Sequence, residues 1–224
     1  MRYFSTLPSI TQSGIYGGQI TVDNILTRNY FLPSLKTNIL YYYEYDINEG
    51  DTPEIIAHKY YGDVYRYWLL LYPNDIYDVN SDWPLSDNQF SNFLFDKYKT
   101  DAADYYNIPV GQINYYQVLQ YTSNTQIAVH HYEKIITVNS TEYIAEQDQI
   151  TTVQIDANTY STLIPSTNQA VFGSGAVVTR KIEKKAVSIY DYESEVNESK
   201  RKIQILKSDY ATDVENQFQE LMNT

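Results

Sequence analysis

The sequence predicts an α+β protein, and three observations support this fold class. Between residues 52 and 99, apolar residues recur every three or four positions behind helix-capping signals. From about residue 108 to residue 190 the period changes to two, which favours short strands. Helical spacing returns after residue 208. At 224 residues with 43% hydrophobic side chains, the chain is long enough to bury a sizeable core.

These changes of period divide the chain into four parts. Residues 1–40 are an N-terminal extended arm, residues 41–99 a domain that opens on a strand, residues 100–190 a β-rich domain, and residues 191–224 a C-terminal strand and helix. The arm has little helical periodicity, although residues 19–22 favour a short strand. Because such an arm cannot bury its own apolar residues, we expect it to lie on its own domain or on a neighbouring subunit.

Capping signals define the helices of the second part. Residues 41–47 are rich in Tyr and predict a strand that ends in a Gly-containing turn. Thr52 stands at an N-cap position, Pro53 at the first helical position, and Gly62 provides a C-terminal stop. Asp63 then caps a second helix.

A third helix and a series of strands follow. Ser86 or Asp87 caps the third helix, in which Phe90, Phe93 and Leu94 recur at helical spacing. The later period of two predicts short strands at residues 113–121, 126–132, 135–138, 151–155 and 176–182.

The composition excludes several classes of function. The chain has 16 basic and 28 acidic residues, and its net charge of −12 repels nucleic-acid phosphates and anionic lipid. Its lack of cysteine excludes disulfides, thiolate metal sites and a cysteine nucleophile. The first five residues lack the apolar core of a signal peptide, and no stretch approaches the roughly 20 apolar residues of a membrane span. We expect a soluble protein made in a cytoplasm, with no nucleic-acid or membrane partner.

Part of residues 41–99 resembles the LysM module, a small strand-helix-helix-strand unit. The stretches that carry the resemblance are residues 50–57, 60–63 and 74–76. In free-standing LysM modules the corresponding turn and loop frame a shallow groove for N-acetylated glycans, which makes Asp51, Thr52 and Asn74 candidate glycan-binding residues. The alternative, which we favour, is that these residues only build the fold. The sequence departs from the module because no Gly-rich closing strand follows Ile76 at the usual short distance.

A wider resemblance covers both ends and the middle of the chain. The sequence is similar to the baseplate wedge protein 53 family of contractile-tailed bacteriophages, and the similarity is weakest from about residue 139 to 180. The stretches that carry it are residues 3–5, 24–26, 63–71, 74–78, 82–86, 130–133, 190–193 and 197–203.

The wedge resemblance implies a structural subunit without catalytic activity or cofactor. It implies a protein that joins wedge subunits and neighbouring wedges during tail assembly, in several copies per baseplate. Its implied partners are other wedge subunits, including core-bundle proteins and a lysozyme-like sheath-initiating subunit. Its implied location is the tail baseplate of the virion, assembled in the host cytoplasm. The alternative is a LysM-type peptidoglycan-binding module of a phage tail.

Two sets of apolar residues are candidates for partner contact. One is the corner formed by Trp83, Pro84 and Leu85, where a large rigid ring stands beside a proline. The other is an apolar stripe on the C-terminal helix, which leaves apolar area exposed unless its own chain or a partner covers it. The stripe consists of Tyr210, Val214, Phe218 and Leu221.

The sequence gives no candidate catalytic or metal-binding residue. Adjacent residues on a strand point to opposite faces, so we do not expect His130 and His131 to bind one metal ion. A cell-wall hydrolase is a further alternative because LysM units often accompany one, but no segment carries a recognisable catalytic motif. Four acidic residues are more consistent with a solvated face than with a pair of catalytic carboxylates: Asp101, Asp104, Glu193 and Glu195.

Overall fold

The protein is α+β, as the sequence predicts, and it divides into two compact units. The computed structural model describes residues 7–13, 17–24, 39–140, 149–171 and 177–222. The first unit comprises Met1–Ser86 and Asn197–Thr224, and the second comprises Asp87–Val196. The predicted boundary between residues 99 and 100 is therefore wrong, because it falls inside a continuous helix that begins at Asp87.

In the described part of the chain, three strands are followed by five helices and then by a mixture of strands and helices. In chain order they are β1 (Ser9–Ser13), β2 (Gln19–Asp23), β3 (Tyr42–Asp46), α1 (Pro53–Tyr61), α2 (Trp68–Leu71), α3 (Val79–Asp82), α4 (Asp87–Tyr106), α5 (Tyr115–Ser123), β4 (Val129–Ser140), β5 (Gln149–Ile155), α6 (Ala157–Thr162), β6 (Ser166–Val171), β7 (Val177–Ser188), α7 (Ile189–Ser199), β8 (Lys202–Leu206) and α8 (Ser208–Met222). Short 3₁₀ turns lie at Ile39–Tyr41, Val64–Arg66, Tyr72–Asn74 and Val110–Gln112.

Helix α1 begins and ends at the predicted capping residues. The Thr52 hydroxyl accepts a hydrogen bond from the Ile55 N–H at 3.4 Å, and Pro53 occupies the first helical position. Gly62 follows the helix with φ of 69°, a left-handed conformation that favours glycine, and its N–H donates to the His58 carbonyl at 3.0 Å. Asp63 caps the 3₁₀ turn that leads into α2, also as predicted.

A two-stranded antiparallel sheet closes the first unit. Strand β3 pairs with β8, so that Tyr42 lies opposite Leu206 and Asp46 lies opposite Lys202. Within this unit, helices α1, α2 and α3 follow β3, and the closing strand comes from beyond residue 200. The predicted C-terminal strand and helix are present as β8 and α8.

Two buried clusters lie in the first unit. Strand β8 contributes Leu206 to one cluster and Ile203 and Ile205 to the other, since successive side chains of a strand alternate between its faces. The first cluster contains Leu7, Tyr42, Trp68, Leu69, Leu206, Ala211, Val214 and Phe218. The second contains Ile47, Ile56, Ala57, Leu70, Ile76, Trp83, Ile203 and Ile205.

Residues 7–13 and 17–24 of the predicted N-terminal arm form a hairpin rather than a single extended segment. Strands β1 and β2 are antiparallel, with Ile10 opposite Val22, and the Asn24 N–H donates to the Pro8 carbonyl at 2.8 Å at the base. Strand β2 confirms the prediction of a short strand at residues 19–22. Residues 1–6, 14–16 and 25–38 of the predicted arm lie outside the described residues.

A helical pair forms one part of the second unit. The 20-residue helix α4 packs with α5 through a buried cluster of Ala102, Ala103 and Val118. The prediction of a strand at residues 113–121 is wrong, because a capping box starts a helix there. The Asn114 side chain accepts from the Gln117 N–H at 3.1 Å, and the Gln117 side chain accepts from the Asn114 N–H at 3.0 Å.

A four-stranded antiparallel sheet forms the other part, in the order β5-β4-β7-β6. The predicted strands at residues 135–138 and 151–155 lie within β4 and β5. The strand predicted at residues 126–132 begins only at Val129, because Asn124 organises a turn by accepting the Gln126 N–H at 2.9 Å. Strand β7 covers the described residues of the strand predicted at 176–182. Among the helices that the structure describes, none has the length and hydrophobicity that a membrane crossing requires.

Candidate functional site

The turn that carries Asp51 is held by several side-chain hydrogen bonds. Gly50 precedes it with φ of 80°. The Asp51 carboxylate accepts from the Tyr45 hydroxyl at 2.7 Å and from the Lys59 ammonium at 2.7 Å. The same carboxylate accepts from the Asn48 N–H at 3.3 Å. Asp51 therefore ties the end of β3 to helix α1 across the turn.

The Asp51 carboxylate is held in its charged form. Burial alone would raise its pKa, but the hydrogen bonds from Lys59, Tyr45 and Asn48 outweigh burial and lower the pKa to about 2. A carboxylate that is ionised at neutral pH and already accepts from four donor groups on three residues has little capacity left to accept a ligand hydroxyl. These hydrogen bonds favour a structural role for Asp51 in the turn over a role as a general base.

Asn74 has a comparable internal role. Its side-chain amide donates to the Leu70 carbonyl and to the Gln204 carbonyl, each at 2.7 Å, and its amide oxygen accepts from the Gln204 N–H at 2.7 Å. Together with Thr52, which caps α1, all three candidate glycan-binding residues have their polar atoms engaged within the unit. Their geometry favours the interpretation that these residues build the fold.

The corner at residues 83–85 is a structural element rather than an exposed anchor. Trp83 is 7% exposed, and its indole N–H donates to the Asp51 carbonyl at 3.0 Å. Pro84 is buried and Leu85 is half-buried. The Leu85 N–H donates to the Asn197 side-chain oxygen at 2.7 Å, and the Asn197 amide donates back to the Leu85 carbonyl at 3.1 Å. The expectation that Trp83 and Pro84 contact a partner is wrong for this conformation, because their own unit covers them.

The predicted stripe on α8 faces the core of its own unit. Val214 and Phe218 are 5% and 6% exposed, and the Phe218 ring lies 4.9 Å from the Trp68 ring. Their assignment as partner contacts is therefore wrong, since an internal cluster covers them. Tyr210 is 39% exposed and packs edge-on against Tyr41 at 4.8 Å. The side chain of Leu221 lies outside the described residues.

An ion pair that the sequence did not predict fastens α8 to the helical segment of the first unit. Arg66 donates from Nε and Nη2 to the two carboxylate oxygens of Glu215, each at 2.9 Å. The Glu215 side chain is only 5% exposed. A planar guanidinium fits a carboxylate in this paired geometry, which fixes direction as well as charge. No local sequence signal joins residues 66 and 215.

The hairpin presents an apolar face to solvent. Ile10, Ile20 and Val22 lie on one face and are 41%, 54% and 38% exposed. Thr11 and Thr21 lie opposite each other on the other face. Leu7, directly before the hairpin, is 7% exposed and belongs to the first buried cluster. The hairpin is thus anchored at its base while its apolar face remains open.

In the second unit, a buried glutamate organises helices α4 and α7. Glu193 is 6% exposed, and its Oε1 accepts from the Lys97 ammonium at 2.6 Å and from the Tyr98 hydroxyl at 2.5 Å. Burial, and then the hydrogen bond to Glu193, raise the pKa of Tyr98. The expectation that Glu193 lies on a solvated face is therefore wrong, whereas Asp101, Asp104 and Glu195 are exposed.

The expectation that His130 and His131 point to opposite faces is wrong. A register shift between Val129 and His131 leaves His130 out of the pairing of β4 with β7, and the two Nδ1 atoms lie 2.9 Å apart. The His130 ring stacks on the Tyr192 ring with 3.6 Å between centroids. Within the described residues, no group of three or more His, Asp or Glu side chains is placed to bind a metal ion.

Comparison with known proteins gives no assignment. No protein-family model matches the sequence, and a search of curated proteins finds no match.

Proposed function

We propose that this chain is a structural subunit of a contractile phage tail, located in the baseplate wedge. In this role it joins wedge subunits and neighbouring wedges during tail assembly, in several copies per baseplate, without catalysis or cofactor. Its partners include core-bundle proteins and a lysozyme-like sheath-initiating subunit. The sequence resemblance supports this choice of assembly, and the surface of the molecule gives a physical reason for a scaffolding role.

The observation that carries the proposal is the open apolar face of the β1–β2 hairpin. A two-stranded hairpin on its own is at best marginally stable in water. Ile10, Ile20 and Val22 are each more than a third exposed, so covering them would remove apolar area from water and stabilise the hairpin. The buried Leu7 fixes the base of the hairpin to the first unit. These features are consistent with a hairpin that becomes fully stable when a second protein binds to its apolar face.

The test mixes the purified chain with the other wedge proteins of its phage, in every order of addition, and follows complex formation by size-exclusion chromatography with light scattering. We expect the chain to enter a complex of defined mass. Absence of co-assembly in every order would contradict the proposal.

A matched pair of variants assigns the contact to the hairpin face. The substitutions Ile20→Ser and Val22→Ser, made together, remove the apolar face, whereas Thr11→Ser and Thr21→Ser alter only the opposite face. We expect the first pair to weaken co-assembly at least about tenfold and the second pair to leave it unchanged. Equal assembly of the two variants would exclude the hairpin face as the contact.

A further inference from the structure

Strand β6 forms an open edge of the sheet in the second unit. Among the described strands it pairs with β7 only, and all six of its residues are exposed. It contains no charged residue and no proline, and its pairing with β7 runs from Ser166 to Val171 without a register shift. Natural proteins usually protect an edge strand with lysine, proline, a bulge or a covering segment. The described residues of β6 have none of these devices.

The sheet behind this edge is basic, although the whole chain is acidic. Strands β4 to β7 together contain five basic residues (Lys or Arg) and two acidic residues (Asp or Glu). The whole chain contains 16 basic and 28 acidic residues. Arg180 lies directly opposite Asn168 of β6, and Lys181 lies opposite Thr167. Both basic residues are exposed. Lys181 also pairs with Glu183 at 2.8 Å, which leaves Arg180 as the stronger candidate for an external anion.

Short side chains separate these basic residues from the open edge. Neighbouring strands are about 4.8 Å apart, so a strand added to β6 would lie about 10 Å from β7. Side chains opposite one another share a face of the sheet. Asn168 is small, and it lies between Arg180 and any residue of the added strand on that face. Acidic side chains on the added strand would therefore meet a positive surface across Asn168.

We propose that the β6 edge binds an extended, acidic segment of another protein as a fifth strand. Main-chain hydrogen bonds to β6 would supply affinity, and Arg180 would select acidic side chains. A second copy of this chain fits less well, because antiparallel pairing of two β6 strands would place the two basic β7 strands in one continuous sheet, with like charges on either side of the pair. A nucleic acid also fits less well, because the net charge of −12 repels phosphate backbones.

This inference deepens the proposed structural role by giving the chemistry of one partner segment. It is tested without other tail proteins, so failure of the peptide experiment leaves the wedge proposal standing, and failure of co-assembly leaves the edge proposal standing.

The experiment measures binding of a labelled peptide to the full chain by fluorescence anisotropy. The probe is a capped octapeptide that alternates valine and glutamate, and its control carries lysine in place of glutamate. We expect the acidic peptide to bind at least about tenfold more tightly at low salt, with an affinity that falls as salt is raised. Binding of neither peptide up to millimolar concentration, or equal binding of both, would overturn the proposal.

Arg180 is tested against a residue on the same strand. Arg180→Glu should weaken the acidic peptide at least about tenfold, whereas Lys185→Glu should leave its affinity within about twofold. Lys185 is the matched control because it is exposed on β7 but lies beyond the residues that pair with β6. A larger effect at Lys185 than at Arg180 would overturn the assignment of the basic residue.

The backbone contact is tested with Thr167→Pro and Asn168→Pro. Adjacent N–H groups of a strand point to opposite edges, so one of the two prolines removes only an outward N–H. The variant that keeps the thermal stability of the wild type should lose at least about tenfold in peptide affinity. Full binding by that variant would exclude strand addition. If the wild-type chain self-associates and this proline abolishes the self-association, the edge binds a second copy instead. If an oligouridine probe binds and competes with the peptide, the surface binds nucleic acid instead.

Discussion

The side-chain amide of Asn74 pairs with the backbone of Gln204 as a neighbouring strand would. Gln204 donates its N–H to the amide oxygen at 2.7 Å, and its carbonyl accepts from the amide nitrogen at 2.7 Å. Strand β3 lies on the other side of Gln204, where Glu44 is its partner. A residue 130 positions earlier therefore satisfies the outer edge of the strand that closes the first unit.

Removal of this amide should destabilise the first unit. Asn74→Ala leaves the Gln204 N–H and carbonyl without their partner, and the cost is about 2–3 kcal/mol in the free energy of unfolding. Urea denaturation followed by circular dichroism measures the change. The control is Asn80→Ala, an exposed asparagine of the same unit, for which we expect a change of about 0.5 kcal/mol or less. Equal effects of the two substitutions would show that Asn74 does not support β8.

Asp51 should make the stability of the first unit depend on acid pH. Its pKa is lowered from 3.8 to about 2 in the folded protein, so its stabilising effect is complete above pH 3.8 and is lost as the pH falls towards 2. Asp51→Asn should cost about 1–2 kcal/mol at pH 7, after allowance for the half-exposed Lys59 partner. The difference between wild type and variant should shrink between pH 4 and pH 2.5. Asp46→Asn, at an exposed position of β3, serves as the control, and an equal change with pH in both variants would contradict the assignment to Asp51.

The Arg66–Glu215 pair should be strongly coupled. Removing the arginine takes a positive charge and two hydrogen bonds from a carboxylate whose side chain is only 5% exposed in the intact protein. We expect Arg66→Ala to cost about 2–3 kcal/mol and a double-mutant cycle with Glu215→Gln to give a coupling energy of about 1–2 kcal/mol. Arg66→Lys keeps the charge but loses the paired geometry, and it should recover only part of the loss. Additive single effects would contradict the coupling.

His130 should make the second unit less stable in mild acid. Burial, the neighbouring His131 and, more weakly, Lys97 lower its pKa below 6.5, while Glu193 opposes them. Its stabilising effect is therefore present above pH 6.5 and is lost as the pH falls through the lower folded pKa. His130→Gln should reduce the fall in melting temperature between pH 7 and pH 5, by a small amount because His130 is exposed. The exposed His58 provides the control, and an identical effect of His58→Gln would contradict the assignment.

Local signals predicted the elements of the first unit well. Thr52, Pro53 and Gly62 define α1 because capping depends on neighbours in sequence. The pairing of β3 with β8 has no local signal, since its partners are more than 150 residues apart. The same local motif makes Asp51, Thr52 and Asn74 candidate glycan-binding residues, and their internal hydrogen bonds favour the alternative in which they only build the fold. Both Asp51 and Asn74 have the right chemistry, but internal partners occupy it: Tyr45 and Lys59 at Asp51, and the distant Gln204 at Asn74.

The errors in the second half of the chain also have physical causes. Residues 113–121 alternate in polarity enough to favour a strand, but the Asn114–Gln117 capping box was a helix signal in the same segment. The stripe containing Val214 and Phe218 was recognised correctly as an apolar helix face. Periodicity shows that such a face must be covered, and it does not show whether the cover is internal or a partner.

Amide hydrogen exchange of the β1–β2 hairpin, in the isolated chain and in the assembled wedge, tests the central claim most directly. We expect the amides of Ser9–Ser13 and Gln19–Asp23 to exchange rapidly in the isolated chain and at least about a hundredfold more slowly in the assembly. Strand β8, which has partners on both sides, should be protected in both samples. An exchange rate of the hairpin amides that does not change on assembly, or full protection in the isolated chain, would contradict the claim that this surface binds a second protein.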